Sequence, residues 1–142
     1  MRVFLIDDHQ LFRTGVRHFL EAVPEAALVG EAGDAVSALT MTEEACPDLL
    51  VVDVHLPDMD GIALACQIRE RLPAVKLVFL SSDTDFAVVR RALLAGASGY
   101  VLKANAPEEL RSALRAARDG GVFLCPELVA ALVPLIKEFL AG

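Results

Sequence analysis

Residues 49–61 read LLVVDVHLPDMDG, and their reading decides the fold. LLVVD (49–53) is strand length, and its near-continuous apolarity suits a strand covered on both faces. An acid closes the run, a Pro and a Gly follow, and the apolar spacing then changes. Leu64, Ala65, Ile68 and Leu72 recur at helical intervals and share one face. Strand then helix is one βα unit, and the rest of the chain repeats it.

Other short apolar runs are VFLI (3–6), ALVGEA (27–32), KLVFLS (76–81) and GYVL (99–102). Between them lie helix-period segments. In 11–23, Leu11, Phe12, Gly15, Val16, Phe19, Leu20 and Val23 keep to one face; Val89, Ala92 and Leu93 do so in 84–95. Leu110, Ala113, Leu114 and Ala117 form a stripe in 107–118, with Pro107 placed for a first turn. Segment 34–45 is the least periodic and reads as a helix by its place in the alternation. Gly96 and Gly120–Gly121 are helix stops. Five βα repeats predict an α/β, doubly wound, five-stranded parallel sheet, flavodoxin-like, with strand order 2-1-3-4-5.

Bulk properties narrow the function. A chain of 142 residues suits one domain with a proper core. A net charge of −7 argues against this segment gripping nucleic acid or an anionic membrane through its overall field. Cys46, Cys66 and Cys125 are widely spaced with no CxxC, which suits a reducing, cytoplasmic compartment and buried structural thiols. No apolar stretch reaches the ~20 residues of a membrane span, and MRVFLIDDH is not a signal peptide.

Ligands of such sheets bind beyond the carboxyl ends of the strands, at the switch in strand order. The polar residues fall there. Asp7 and Asp8 follow the first strand, Asp53 ends the third, Ser81 and Ser82 the fourth, and Lys103 the fifth. Clustered carboxylates repel unless a cation or proton relieves them, and hard oxygen ligands suit Mg²⁺. An ionised Asp53 could then act as a nucleophile toward phosphorus, with Lys103 and Ser81 serving phosphoryl oxygens. Blander readings exist for each residue alone. Asp7 and Asp8 also suit helix capping, Lys103 a solvated surface and Tyr100 plain sheet packing. Asp58 and Asp60, beside Pro57 and Gly61, read as turn and cap residues. His18 reads as a surface residue.

The ordered set DD (7–8), D (53) before LP (56–57) and DG (60–61), S (81) and GYVLK (99–103) resembles the receiver domain of bacterial two-component response regulators. The match spans about residues 1–120, and DDHQLFRTGV (7–16) is similar to the NarL/LuxR subfamily. The resemblance implies a phosphoacceptor switch rather than an enzyme acting on other substrates. Asp53 would accept a phosphoryl group from a sensor histidine kinase. Asp8, Asp53 and the backbone carbonyl of His55 would ligate Mg²⁺, with Asp7 assisting through water and Mn²⁺ able to substitute. Lys103 would pair with the phosphoryl group, Ser81 would shift to bond it, and Tyr100 would change rotamer on the output face. His55 and Asp83 would tune acyl-phosphate lifetime. His9 belongs to the subfamily signature without an assigned chemical role. Homodimerisation on phosphorylation is implied, and DNA binding only through a helix-turn-helix output domain outside these residues.

Residues 121–142 read as a linker, packing or dimerisation helix starting at Pro126. Leu128, Leu132, Leu135 and Phe139 align on it, with Val129, Val133, Ile136 and Leu140 alongside, and Pro134 should kink or interrupt it. So apolar a face must be buried on the domain, a partner or a further domain. Two other functions compete. One is a phosphorylation-independent receiver acting as an interaction or dimerisation module. The other is an aspartate-nucleophile phosphatase, which would want a second acid where His55 stands.

Overall fold

The computed structural model describes all 142 residues, the side chain of Leu135 excepted. The strands are β1 (Arg2–Ile6), β2 (Ala27–Ala32), β3 (Leu49–Asp53), β4 (Lys76–Ser81), β5 (Gly99–Leu102) and β6 (Phe123–Leu124). They form one sheet of order β2-β1-β3-β4-β5-β6, with every pairing parallel. The helices are α1 (Gln10–Glu21), α2 (Ala35–Ala45), α3 (Gly61–Arg71), α4 (Phe86–Leu94), α5 (Glu108–Arg118) and α6 (Pro126–Ala141). No described helix is long and apolar enough to cross a membrane.

The class and the order of the first five strands are as expected, but the sheet has six strands. Phe123 and Leu124 pair alongside Gly99 and Tyr100. Two residues are too few for a periodicity signal, and their apolarity merges into the run that opens α6.

Continuous apolarity in β1, β3 and β4 has the expected cause: both sheet faces are covered. Phe4, Ile6, Leu50, Val52, Leu77 and Phe79 pack with α2, α3 and α4 residues on one face. Val3, Leu5, Leu49, Val51, Val78 and Leu80 pack with Val16, Leu20, Leu110 and Leu114 on the other. Alternate residues of each strand thus enter different layers.

Loop acids start the helices. Asp34 accepts from Ser37 N–H at 2.8 Å to cap α2, and Asp60 accepts from Ile62 N–H at 2.8 Å to cap α3. Asp58 reaches across to the start of α2, accepting from Ala35 N–H at 2.9 Å and Val36 N–H at 3.2 Å. Those backbone donors hold its carboxyl below the ordinary range. Asp60 is also low; burial alone would raise it, but its bond to Arg91, at 2.7 Å, and its cap donors outweigh that.

Three expectations need correction. Leu11 leaves the core stripe of α1 and is 86% exposed, because it stands about 140° and 180° round the helix from Val16 and Leu20, the buried residues of α1. Of the cysteines only Cys125 is buried; Cys46 and Cys66 are exposed. Pro134 does not interrupt α6, since it and Ala130, whose carbonyl loses its partner, both face water. The helix α6 buries Leu128 on the domain and leaves Ile136, Phe139 and Leu140 exposed, with the side chain of Leu135 outside those described.

Candidate functional site

The parallel sheet puts the ends of β1, β3, β4 and β5 on one rim, and four polar side chains meet there. The first is Asp7, just past β1. Its backbone N–H donates to Ala32 O at 3.0 Å, and its carbonyl accepts from the Arg13 guanidinium. The carboxylate is wholly buried. Its Oδ1 accepts from His9 N–H at 2.7 Å, and its Oδ2 lies 2.7 Å from Lys103 Nζ.

The second is Asp53, which answers for a charge at the end of an apolar strand. Its side chain is only 4% exposed, yet both oxygens are met. Oδ1 accepts from His55 N–H at 2.9 Å, and Oδ2 accepts from Lys103 Nζ at 2.6 Å. Backbone bonds from Val54 N–H to Leu80 O and from Gly61 N–H to Val54 O, each 2.9 Å, hold this strand end between β4 and α3. Gly61 is required there. A Cβ at that position would stand 1.9 Å from the carbonyl oxygen of Asp53.

Lys103 follows β5 and bridges the two buried acids. Burial alone would lower its pKa, but the hydrogen bonds and charges of Asp53 and Asp7 outweigh burial and hold it above the ordinary lysine range. The ring of Phe12 covers the ammonium, its centroid 4.9 Å from Nζ.

His9 is the fourth. It had no role in the sequence beyond its place in a signature. Its Nδ1 lies 3.2 Å from Asp7 Oδ1, 3.2 Å from Asp8 Oδ1 and 3.0 Å from Lys103 Nζ. Position was the available signal: a metal-capable side chain directly after two acids at a strand end. One ligand atom from each of Asp7, Asp8, His9 and Asp53 falls within 4.8 Å of the others. Three carboxylates against one ammonium leave a formal excess of two negative charges, and with one of the acids exposed on the rim the cluster suits a hard divalent cation such as Mg²⁺.

The remaining candidates lie around this cluster. Ser81, wholly buried at the end of β4, donates from Oγ to Asp83 O at 2.9 Å and accepts from Asp83 N–H at 3.2 Å. The Asp83 carboxylate accepts from Asp85 N–H at 3.1 Å, away from the acid cluster. His55 is exposed and bridges Asp60 across the β3–α3 loop. Tyr100 points inward, fully buried, its hydroxyl without a hydrogen-bond partner among the described residues; burial pushes its pKa up. Beside the rim, His9, Leu11, Phe12, Gly15, Lys103 and Pro107 line an open cleft of about 590 Å³, which is where the exposed Leu11 goes.

Known proteins resemble this chain in sequence and in fold. Residues 3–115 match the family described as response regulator receiver domain. DevR/DosR of Mycobacterium tuberculosis, a DNA-binding transcriptional activator, is 39% identical over 137 residues, covering 96% of this chain and 63% of that protein. DegU of Brevibacillus brevis, a transcriptional regulatory protein, is 34% identical over 139 residues, covering 98% of this chain and 58% of its own length. The chain thus spans about three fifths of these relatives. A LuxR-family two-component response regulator from Aurantimonas sp. superposes with a TM-score of 0.84 at 36% identity, over 91% of this chain and 92% of that one. With that match over most of the chain and a strand order shared with its structural relatives, this chain belongs to the response regulator receiver domain family, among relatives of the NarL/LuxR type.

Proposed function

We propose that this domain is a phosphoacceptor switch in which Asp53 takes a phosphoryl group from a sensor histidine kinase. The observation that carries the reading is Asp53 Oδ2, buried, ionisable and held 2.6 Å from Lys103 Nζ beside two further acids. Asp8, Asp53 and the His55 carbonyl would hold Mg²⁺, or Mn²⁺ in its place, with Asp7 acting through water. When bound, the ion supplies positive charge against the carboxylates and the incoming phosphoryl oxygens.

The chain's own groups do the rest. The His55 N–H fixes one Asp53 oxygen, so the carboxylate presents the other in a set direction. That oxygen forms the new bond to phosphorus while the donor nitrogen leaves. Lys103 then meets the phosphoryl oxygens instead of a bare carboxylate. The Ser81 hydroxyl, now spent on Asp83 O, turns to the phosphoryl group and releases the β4–α4 loop. Tyr100 responds through its unpartnered hydroxyl on the face of α4 and β5. His55 and Asp83 border the acceptor and set how readily water reaches it.

Downstream, residues 121–142 would serve as a linker or dimerisation helix, using the exposed Ile136, Phe139 and Leu140. Transcriptional output would run through a DNA-binding domain, as the names of the relatives suggest. Intact-mass measurement after acetyl phosphate and Mg²⁺ tests the core of this reading. One phosphoryl adduct is expected on the native protein and none on Asp53→Asn. An adduct that survives Asp53→Asn, or a native protein that takes none, sinks it.

A further inference from the structure

Helix α6 stands on the domain by its first turn alone. Among its described residues only Leu128 is buried, in the core layer that also holds Tyr100 and Cys125, and only Leu132 is half-buried. The rest of the described residues from Val129 to Ala141 are exposed. At about 100° per residue, Val129, Leu132, Val133, Ile136, Phe139 and Leu140 fall within roughly 120° of arc. Within it, Val129, Val133, Ile136 and Leu140 recur at alternating steps of four and three residues. That is the spacing of a seam along which two helices pack. Lys137, Glu138, Ala130 and Pro134 all lie outside the arc.

A free helix of this length is marginal in water, more so with Pro134 inside it, so the seam needs a cover. The chain's own domain does not supply one. Leu128 fixes which side of α6 meets the domain, the arc is centred about 80° round from it, and the helix runs unbroken from Pro126 to Ala141.

We propose that the cover is α6 of a second copy of this chain, the two helices pairing along that seam whether or not Asp53 carries a phosphoryl group. This pairing rests on the dimerisation role proposed above for residues 121–142, and commits it to one partner, one surface and no dependence on Asp53. Area and charge both favour a second copy. Exposures of 38% to 84% at Val129, Val133, Ile136, Phe139 and Leu140 leave roughly 500 Å² of apolar side chain uncovered per chain. Two copies bring about 1,000 Å² together, the lower bound of a specific interface. The arc carries no charge, so two copies meet along it without like charges in contact, although each chain has a net charge of −7. An acidic or basic partner would find nothing on it to pair with.

The test is sedimentation velocity of the full chain across a wide concentration range, with urea midpoints confirming that each variant keeps a folded domain. Wild type should pass from monomer to dimer as concentration rises, and Asp53→Asn should do the same. Ile136→Glu, at the centre of the seam, should weaken self-association by about thirtyfold or more, as loss of a central anchor does, while Ile136→Leu keeps it. Ala130→Glu puts the same charge on the far side of the same helix and should associate as wild type does. A wild type that stays monomeric throughout, association untouched by Ile136→Glu, or equal loss in Ala130→Glu overturns the pairing. So does a dimer that forms only after acetyl phosphate and Mg²⁺, or one that is lost in Asp53→Asn. The phosphoacceptor reading fails by a different measurement: a native chain that takes no phosphoryl adduct yet dimerises through Ile136 sinks that reading and leaves the pairing standing.

Discussion

Gly61→Ala is the most direct perturbation of the way this fold holds its site. Gly61 opens α3 and donates its N–H to Val54 O, so the helix start presses against the end of β3. An added Cβ would lie 1.9 Å from Asp53 O and 2.9 Å from both Asp53 C and Val54 Cα, where real contacts essentially never fall below 3.0 Å. Every atom it meets is backbone, so no rotamer change relieves the clash. The strand end or the helix must give by more than an ångström. Overpacking of flexible cores costs ~1–3 kcal/mol, and a rigid target puts this case at about 3 kcal/mol or above. At roughly 3–4 °C per kcal/mol for a domain of this size, Tm should fall by about 10 °C. The displaced carbonyl belongs to Asp53, so the 2.6 Å contact with Lys103 should open too and weaken divalent-ion binding. Gly15→Ala is the matched control. It lies in the exposed interior of α1 with nothing within 4 Å of its Cβ position. There alanine should stabilise by about 0.5–1 kcal/mol. Urea midpoints and thermal scans on both variants decide the matter. Gly61→Ala within about 0.5 kcal/mol of wild type, or both variants shifting in the same direction, refutes the reasoning.

Two further outcomes concern buried charge. Lys103→Met leaves Asp7 and Asp53 facing each other without their cation, and should cost about 3 kcal/mol in urea unfolding at neutral pH, with Mg²⁺ recovering part of it. Because the folded-state pKa of Lys103 is raised, its contribution is complete below the ordinary lysine value and disappears as pH rises through the higher folded one, so the gap between variant and wild type should close only in strong alkali. Glu109 shows the opposite sign. Burial, reinforced by the charge of Glu127, raises its pKa, and its Oε1 is enclosed without a partner, so the ionised form burdens the fold. That burden is present above its folded pKa and absent below the ordinary carboxylate value. Glu109→Gln should therefore unfold at higher urea than wild type at pH 7 and match it near pH 4; a difference independent of pH would show that burial of the charge is not its cause.

The sequence carried the architecture because both sheet faces are covered, and a strand covered twice announces itself as an apolar run. It carried the rim because parallel strands place every carboxyl end on one side, so Asp7, Asp53, Ser81 and Lys103 had to converge. What it did not carry depends on where a side chain stops. Leu11 sits at the edge of a wide apolar arc, about 140° round the helix from Val16 and about 180° from Leu20, and an arc read only as 'one face' hides that it points to the cleft instead of the sheet. Asp58 reads as a turn residue, but its carboxylate spans the loop to hold the start of α2. Cys46 and Cys125 are equally apolar by type, and only the N-cap of α6 lies under cover. The edge strand β6 escaped because two paired residues have no period to read.

Lys103 explains why so much acid can be tolerated in so small a volume. One ammonium meets two buried carboxylates, and among the described residues no other lysine or arginine lies within ion-pair distance of Asp7 or Asp53. Asp7, Asp8 and Asp53 against one ammonium leave a formal excess of two negative charges across the rim. Adding charge at Asp53 must draw Lys103 away from Asp7 Oδ2, an atom with no hydrogen-bond donor to replace it. A second cation near Asp7 and Asp8 would supply what the lysine gives up. Under the proposed function, cation binding and phosphoryl acceptance are therefore coupled through a single side chain, and each should strengthen the other by the same factor.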